Sequence, residues 1–319
     1  MNNSGLLIHP EELDDVWVDE LISRRIPVLG LHPTGGTRAA DSFAAQIRRS
    51  REPRFRELVD RVTAAGISVE YEAHALRYLL PAEEFTRHPA WFRTDASGNR
   101  NPDFNCCVSN EEALEYIAGR AAEAVRSLYV GSSRSHRHYF WTDDKHDVYC
   151  HCPECSRLSP SEQQMTVMNA IVRRLRLDDP QAMLAFLSYN ECTEPPAAVE
   201  PAEGIFLEIA PMNRDIHKPL YGSDDPRNSA RAAEIRRLIS VFGAENTKIL
   251  DYWLDNSWFS FWTKPPKRFV PDVPVMKADI DFYHSLGITD ISTFACFLGS
   301  DYRALYGMPD LGGYERLIR

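Results

Sequence analysis

Eight short apolar runs, most of them separated by amphipathic segments, constrain the fold of this chain more than any other feature. In chain order they span residues 4–9, 26–32, 67–74, 138–143, 182–191, 204–212, 248–255 and 290–297. The run AMLAFL, residues 182–187, is apolar throughout, which is typical of a parallel strand buried on both faces. Eight strands that alternate with helices predict a (β/α)8 barrel. We expect one catalytic domain over residues 1–319, with a long loop after the third strand and a cysteine-rich loop after the fourth.

The segments between these runs carry the signals that start and end helices. Ser109 and Glu112 predict a capping box at the start of one helix, with Ser109 as its N-cap. Three other helix-like segments end in glycine, at Gly66, Gly243 and Gly287, as helix C-termini often do. The Pro-rich link between the fifth and sixth runs is too short for a full helix. An open doubly wound sheet is the alternative fold, but no GxGxxG motif follows the first run.

The overall composition excludes several classes of partner. The formal net charge is -10 and no basic block compensates it, so we expect no general affinity for the phosphates of nucleic acids or membranes. No apolar run approaches the roughly 20 residues of a membrane span, and the first residues lack a signal-peptide pattern. Seven cysteines, an odd number, fit a reducing compartment better than a disulfide framework. We therefore expect a cytoplasmic protein, with its oligomeric state left open and a homodimer among the alternatives.

Reactive groups of a (β/α)8 barrel come from the loops that follow its strands. Carboxylates gather after four or five successive runs of this chain, with aromatic residues between them. That arrangement is typical of glycosidic bond cleavage, in which one carboxyl protonates the leaving oxygen and another stabilises or attacks the anomeric carbon. The carboxylates predicted to be catalytic are Glu191, Asp143, Glu208 and Asp251. The residues predicted to contact a carbohydrate substrate are His74, Trp141, Asp144, Tyr189, Asn190, Arg214, His217, Tyr252 and Trp253.

We assign the general acid/base role to Glu191, because apolar surroundings would keep its carboxyl partly protonated. Asp143, Glu208 or Asp251 would supply the partner carboxylate. In a second mechanism, Asp143 with Asp144 would orient an acetamido group of the substrate, whose oxygen then attacks. The rings expected to stack on sugar faces are Trp141, Tyr189 and Trp253, and the side chains expected to bind hydroxyls or a carboxylate are His74 and Arg214.

Several of these residues also have purely structural interpretations. Asp144 or Asp147 could be a helix N-cap or a turn former, as single aspartates after strands often are. Glu208 lies within an apolar strand, so it either faces a functional centre or pairs with an arginine inside the barrel. Arg214 and His217 could equally anchor a loop.

The cysteine-rich segment CHCPEC, residues 150–155, could bind a structural zinc ion. Cys150, Cys152 and Cys155 would supply three thiolates, with His146 or His151 as the fourth ligand. A closed thiolate site leaves no open position for a substrate, so we expect catalysis to require no cofactor. A redox role would need a CxxC motif before a helix in a thioredoxin-like unit, which the sequence lacks.

Six segments between about residues 55 and 290 form a recognisable set of motifs. They are the run from ISVEYEAH to EEALEYIA (67–118), the CxCxxC stretch that follows Asp143, and LSYNECTEPP, NRDIHKPL, LDYW and DIDFYHSLGI. Together they resemble bacterial proteins that carry domain of unknown function 4838, among them the family 163 glycoside hydrolases, endo-β-N-acetylglucosaminidases on a (β/α)8 barrel. The resemblance implies a retaining-type glycosidase whose pocket contains His74, Asp143, Tyr189, Arg214, His217, Asp251 and Tyr252.

The chain departs from this family pattern in two loops. Family members usually have an Asn-Asp-Gly-like turn after strand four, where this chain has Thr142, Asp143 and Asp144. Asn190 and Glu191 after strand five look more like the acid/base pair of other barrel glycosidases. The accessory domains and secretion signal usual for polymer-degrading members are not seen, so we expect a small intracellular enzyme that acts on an imported oligosaccharide or small glycoside.

The prediction is therefore a glycoside hydrolase that cleaves an O-glycosidic bond with paired carboxylates at the C-terminal face of the barrel. One alternative is a non-catalytic carbohydrate-binding barrel, in which the carboxylates pair with arginines instead of facing a pocket. The other is a metal-dependent sugar lyase, isomerase or hydrolase that uses His32, His74, Glu191 and His217.

Overall fold

The computed structural model describes residues 3–129 and 135–319. Eight parallel strands form a closed barrel in which each strand neighbours the next in the chain and the last pairs with the first. The predicted (β/α)8 barrel is confirmed, and the strands lie within the predicted runs, except that the fourth and seventh begin one residue earlier. The strands are β1 (Gly5–Ile8), β2 (Val28–Leu31), β3 (Ser68–His74), β4 (Arg137–Trp141), β5 (Met183–Ser188), β6 (Ile205–Ile209), β7 (Thr247–Asp251) and β8 (Asp290–Phe294).

Helices occupy most of the connections between the strands. No helix within the described ranges is both long enough and apolar enough to cross a membrane. The helices are α1 (Asp15–Arg24), α2 (Ala39–Arg49), α3 (Pro53–Ala64), α4 (Leu76–Leu79), α5 (Glu111–Leu128), α6 (Pro160–Asp178), α7 (Pro226–Phe242), α8 (Asn256–Phe259), α9 (Val273–Ser285), α10 (Ser300–Tyr306) and α11 (Tyr314–Leu317).

The helix boundaries follow the local capping chemistry. The N-cap of α5 is Asn110 and not the predicted Ser109, because the Asn110 side chain accepts a hydrogen bond from the backbone N–H of Ala113. A capping box forms instead at α6, where Ser159 and Glu162 each accept the other's backbone N–H. The predicted glycine stops are confirmed: the residues that follow α3, α7 and α9 include glycines with φ of 81°, 82° and 84°. As predicted, the described link between β5 and β6 contains no helix.

The chain comprises two compact units. Unit 1 is built from Met1–His32, Pro53–Glu70 and Leu207–Arg319, and unit 2 from Pro33–Glu52 and Tyr71–Phe206. Unit 1 therefore contains the strand ends after β6, β7 and β8, and unit 2 contains those after β3, β4 and β5. That residues 1–319 act as one domain stays a prediction.

Candidate active site

The C-terminal ends of β3, β4 and β5 in unit 2 carry the densest group of predicted site residues. His74, the last residue of β3, pairs in register with Trp141, the last residue of β4. Asp143 and Asp144 follow β4 after one intervening residue, and Glu191 follows shortly after β5. This is the end of the strands from which barrel enzymes build active sites.

Glu191 has a carboxylate whose two oxygen atoms differ in their contacts. Its Oε1 atom lies 2.8 Å from His146 Nδ1 and accepts the backbone N–H of Asp147 at 3.2 Å. Its Oε2 atom is buried and has no hydrogen-bond partner among the described residues, although the side chain as a whole is 26% exposed. A buried oxygen without a partner is costly, so Oε2 is a natural acceptor or proton carrier for a bound molecule.

A small cavity lies next to Glu191. Its volume is about 10 Å³, which is at the lower limit for a cavity that holds one water molecule. Glu191 and Asp143 both line it, so the two carboxylates approach a shared space. The other residues that line it are Thr142, Lys145, Tyr149, Gln164, Leu187, Tyr189 and Asn190. Asn190 adopts a φ of 49°, a left-handed conformation that asparagine tolerates better than most residues.

Asp144 and His74 form a second polar group beside this cavity. The Tyr189 hydroxyl donates to Asp144 Oδ1 at 3.1 Å, and the Tyr189 ring lies 5.9 Å from the His74 ring. His74 Nδ1 lies 2.6 Å from the carbonyl oxygen of Thr142, so Nδ1 carries the proton. Burial lowers the pKa of His74, and Asp144 and the bond to Thr142 oppose this shift. His74 is therefore a neutral, oriented imidazole.

Gly35 belongs to the same site, although the sequence gives it no role. A Cβ atom at Gly35 would lie 3.3 Å from His74 Cδ2 and 3.4 Å from Asp144 Oδ2. The glycine backbone thus packs closely against both side chains. The Gly-Gly pair after the second run could have indicated this close packing, because glycine often marks a close backbone approach.

Asp143 acts as a link between two loops. Its Oδ2 accepts the backbone N–H of Asn105 at 2.6 Å, and its Oδ1 accepts that of Arg77 at 3.2 Å. The Asn105 side chain accepts the Asp143 backbone N–H at 3.0 Å in return. Burial raises the pKa of Asp143 to about 6, and the two backbone donors oppose the shift. With both oxygens engaged, Asp143 holds the loop after β3 against the loop after β4.

Asp251 in unit 1 is a buried ion-pair partner, in contrast to its predicted catalytic role. Arg214 Nη2 lies 2.6 Å from Asp251 Oδ1, and Arg214 Nη1 lies 2.7 Å from Asp279 Oδ2. The Tyr283 hydroxyl donates to the second oxygen of Asp251 at 2.8 Å. All three charged side chains are at most 1% exposed. Arg214 is thus a loop anchor, which corrects its predicted role in substrate binding.

Glu208 is also paired, which corrects its predicted catalytic role. It lies beside Lys248 across the β6–β7 ladder, and Lys248 Nζ is 3.4 Å from Glu208 Oε1. Lys248 Nζ also lies 3.2 Å from Glu70 Oε2, and both Lys248 and Glu208 have fully buried side chains. The cation is a lysine and not the expected arginine. A buried charge needs such a partner to avoid a large desolvation cost.

Two of the three rings predicted to stack on sugars are buried. Trp141 is 2% exposed and Trp253 is 6% exposed, and Trp253 Nε1 donates to Asp279 Oδ2 at 3.0 Å. Both belong to the core, so their predicted stacking role is corrected. Tyr189 stays half-buried beside Asp144, and Tyr252 in unit 1 stacks on Phe294 with ring centroids 5.0 Å apart.

A larger cavity of about 420 Å³ lies in unit 1. Two of the predicted site residues line it: His217, which is exposed, and the loop anchor Arg214. Sequence reasoning missed its aromatic wall, which comes from the segment SWFSFW after β7. The remaining lining residues are Asp215, Ile216, Arg227, Trp258, Phe259 and Phe261.

The predicted metal ligands Cys150, Cys152 and Cys155 lie together in unit 2, and Cys107 joins them. Neither predicted histidine is the fourth ligand, since His146 contacts Glu191 and His151 is exposed. Within residues 3–129 and 135–319 this is the one group of three or more cysteine, histidine or acidic side chains close enough to share a metal ion. The residues expected for the metal-dependent alternative, His32, His74, Glu191 and His217, are not part of it.

The comparisons with known proteins agree with this architecture. A family model described as domain of unknown function (DUF4838) matches residues 10–296. The chain belongs to the DUF4838 family. The resemblance expected from the sequence motifs is thereby confirmed. A search of curated protein sequences gave no match to this DUF4838 chain.

Solved structures of similar fold include several glycoside hydrolases. A β-galactosidase from Rahnella sp. R3 has a TM-score of 0.55 at 13% identity, over 99% of this chain and 55% of that one. A GH36 α-galactosidase from Geobacillus stearothermophilus has a TM-score of 0.53 at 10% identity, over 99% and 41%. A family 5 xyloglucanase from Paenibacillus pabuli has a TM-score of 0.53 at 9% identity, over 99% and 97%. The DUF4838 chain spans about half the length of the first two, and identities this low show a shared fold alone.

Proposed function

We propose that this chain is a glycoside hydrolase that cleaves an O-glycosidic bond of an oligosaccharide or small glycoside, with Glu191 as its general acid/base. The observation that carries the proposal is the Glu191 carboxylate after the end of β5, beside a small cavity. One of its oxygens is held by hydrogen bonds, and the other is buried with no hydrogen-bond partner in the part of the chain that the structure describes. The likeness to galactosidases and a xyloglucanase supports the proposal at the level of fold.

The surroundings of Glu191 determine where its proton resides. Oε1 accepts the backbone N–H of Asp147 and lies 2.8 Å from His146 Nδ1; with Nδ1–H as the donor, we place the acidic proton on Oε2. From Oε2 the proton passes to the glycosidic oxygen as the bond between that oxygen and the anomeric carbon breaks. The resulting carboxylate then takes a proton from the water that completes hydrolysis, and the adjacent cavity has room for that water.

We infer that Asp144 supplies the second carboxylate. Asp143, Glu208 and Asp251 are engaged by protein partners, whereas Asp144 is half-buried and positioned by the Tyr189 hydroxyl. Its negative charge stabilises the positive charge that develops on the anomeric carbon. With a 2-acetamido sugar, the same carboxylate orients the acetamido group for attack. Comparison of substrates with and without this group distinguishes the two mechanisms.

The experiment is a screen of aryl glycosides and oligosaccharides, followed by kinetics of Glu191→Gln on the best substrate. Loss of a general acid costs about 10²- to 10⁴-fold when the leaving group is a sugar or an alcohol. The loss should be much smaller for a dinitrophenyl glycoside, whose leaving group needs no proton. Glu200→Gln, at an exposed position in the same loop, is the matched control and should retain wild-type activity.

Two results would contradict this assignment. One is an equal loss for good and poor leaving groups in Glu191→Gln. The other is full activity in both Glu191→Gln and Asp144→Asn.

A non-catalytic carbohydrate-binding barrel is the second candidate, and a specific observation favours it. Asp251 pairs with Arg214 as that alternative predicts, whereas Glu208 pairs with Lys248 and Asp143 accepts two backbone N–H groups. Isothermal titration calorimetry with the same oligosaccharides separates the candidates. Binding without turnover across the whole panel favours the binding barrel.

A further inference from the structure

Four cysteine side chains from two separate loops converge in unit 2. Cys107 comes from the long loop after β3, and Cys150, Cys152 and Cys155 come from the loop after β4. Their sulfur atoms all lie within 4.8 Å of one another, and all four residues are buried. None of them forms a disulfide.

The spacing of the sulfur atoms is that of tetrahedral metal coordination. Four sulfurs each about 2.3 Å from a zinc ion form a tetrahedron with edges of about 3.8 Å. Cys107 Sγ lies 3.7 Å from Cys152 Sγ and 3.9 Å from Cys155 Sγ. A disulfide would require a separation of about 2.05 Å, so these contacts match shared coordination and not a bond between two sulfurs.

Polar groups are directed at the sulfur atoms, as thiolates require. The backbone N–H of Thr94 donates to Cys150 Sγ at 3.3 Å. The Ser109 hydroxyl lies 3.3 Å from Cys107 Sγ and 3.6 Å from Cys152 Sγ. Such outer contacts orient metal ligands and stabilise their charge. A cluster of neutral thiols packed as apolar groups would have no need of them.

The backbone around the cysteines is also fixed. The Gln163 side chain accepts the N–H of Cys150 at 2.9 Å and donates to the carbonyls of Cys150 and Cys155, both at 3.1 Å. The N–H of Cys107 donates to the carbonyl of Trp91 at 2.9 Å. The four ligands are therefore held in place by their own loops and by α6.

We propose that Cys107, Cys150, Cys152 and Cys155 bind one Zn²⁺ ion in a closed structural site. Four thiolates fill the coordination sphere, so the ion has no open position and takes no part in chemistry. It joins the loop after β3 to the loop after β4. Asn105, two residues before Cys107, holds Asp143, so the ion also stabilises one wall of the candidate active site. The proposal does not depend on the proposed glycosidase activity.

The test begins with the metal content of the full chain, purified under reducing conditions without a chelator. Mass spectrometry of the elements should find one zinc ion per chain. Exchange with Co²⁺ should give the intense visible bands and sulfur-to-cobalt charge-transfer bands of tetrahedral thiolate coordination. A chain that holds no zinc, both as purified and after incubation with Zn²⁺ and a reductant, overturns the proposal. If the site holds iron instead of zinc, the proposed identity of the ion is wrong.

Variants of two adjacent cysteines test the ligand set. Cys106→Ser is the matched control, because Cys106 is buried next to the site but is not one of the four ligands. It should retain one zinc per chain, whereas Cys107→Ser should lose most of it. If Cys107→Ser does not fold, Cys107→His keeps a ligand and should bind Co²⁺ with a spectrum changed by one nitrogen donor. An unchanged cobalt spectrum in Cys107→His, or equal zinc in both serine variants, overturns the role of Cys107.

Discussion

Replacement of Arg214 with methionine should destabilise the protein by about 3 kcal/mol, the lower end of the 3–5 kcal/mol that removal of one partner from a buried ion pair costs. The Arg214 side chain is 1% exposed and lies 2.6 Å from Asp251 and 2.7 Å from Asp279. Methionine fills much of the same space but leaves two carboxylates without their cation. The Tyr283 hydroxyl and the Leu220 N–H still donate to these carboxylates, which is why we expect the lower end.

The measurement is equilibrium urea unfolding, followed by circular dichroism and tryptophan fluorescence. Arg227→Met is the matched control, because Arg227 is 59% exposed where it pairs with Asp225. The Arg227→Met replacement should change the free energy of unfolding by less than about 1 kcal/mol. The loss of unfolding free energy in Arg214→Met, relative to wild type, should become smaller as pH falls, because carboxylates without a cation take up protons more readily. Equal unfolding midpoints for Arg214→Met and Arg227→Met would refute the role of Arg214 as an anchor.

Three further predictions concern the candidate active site. Burial raises the pKa of Asp143 from 3.8 to about 6 in the folded state, so the stability contributed by its protonated form is lost as pH rises from about 4 through about 6. In urea unfolding, Asp143→Asn should therefore lose less stability than wild type between about pH 4 and about pH 6. An equal decline would contradict this. Gly35→Ala places a methyl group 3.3 Å from His74 and 3.4 Å from Asp144, and should lower kcat/KM about 10-fold with little change in Tm. Tyr189→Phe removes the hydrogen bond to Asp144 and should also lower kcat/KM by about 10-fold, so unchanged kinetics would show that this bond does not position Asp144 for the reaction.

The barrel could be predicted because its signal is local and repeated. Each strand appears as an apolar run, and short-range signals such as the glycine after α7 mark the ends of helices. The error at the start of α5 has a simple physical cause. Ser109 and Asn110 are both good N-caps, and only the backbone geometry decides between them.

The candidate site was harder to predict because pairing depends on distant residues. Glu208 and Asp251 follow the pattern of catalytic carboxylates, but their cations lie 40 and 37 residues away along the chain, at Lys248 and Arg214. Only strand register and loop conformation bring these charges together. Cys107 was missed for the same reason, although the Cys-Cys pair at residues 106–107 was an available signal.

The aromatic segment after β7 provides the protein with its own spectroscopic probe. Trp262 is 64% exposed and its ring lies 6.1 Å from that of Trp258, which lines the cavity of about 420 Å³ in unit 1. The other four tryptophans of the chain, at positions 17, 91, 141 and 253, are all buried. Dissolved acrylamide would reach Trp262 well before those four. Emission that becomes shielded from acrylamide when a molecule is added would therefore report binding near Trp262, with no label attached to either partner.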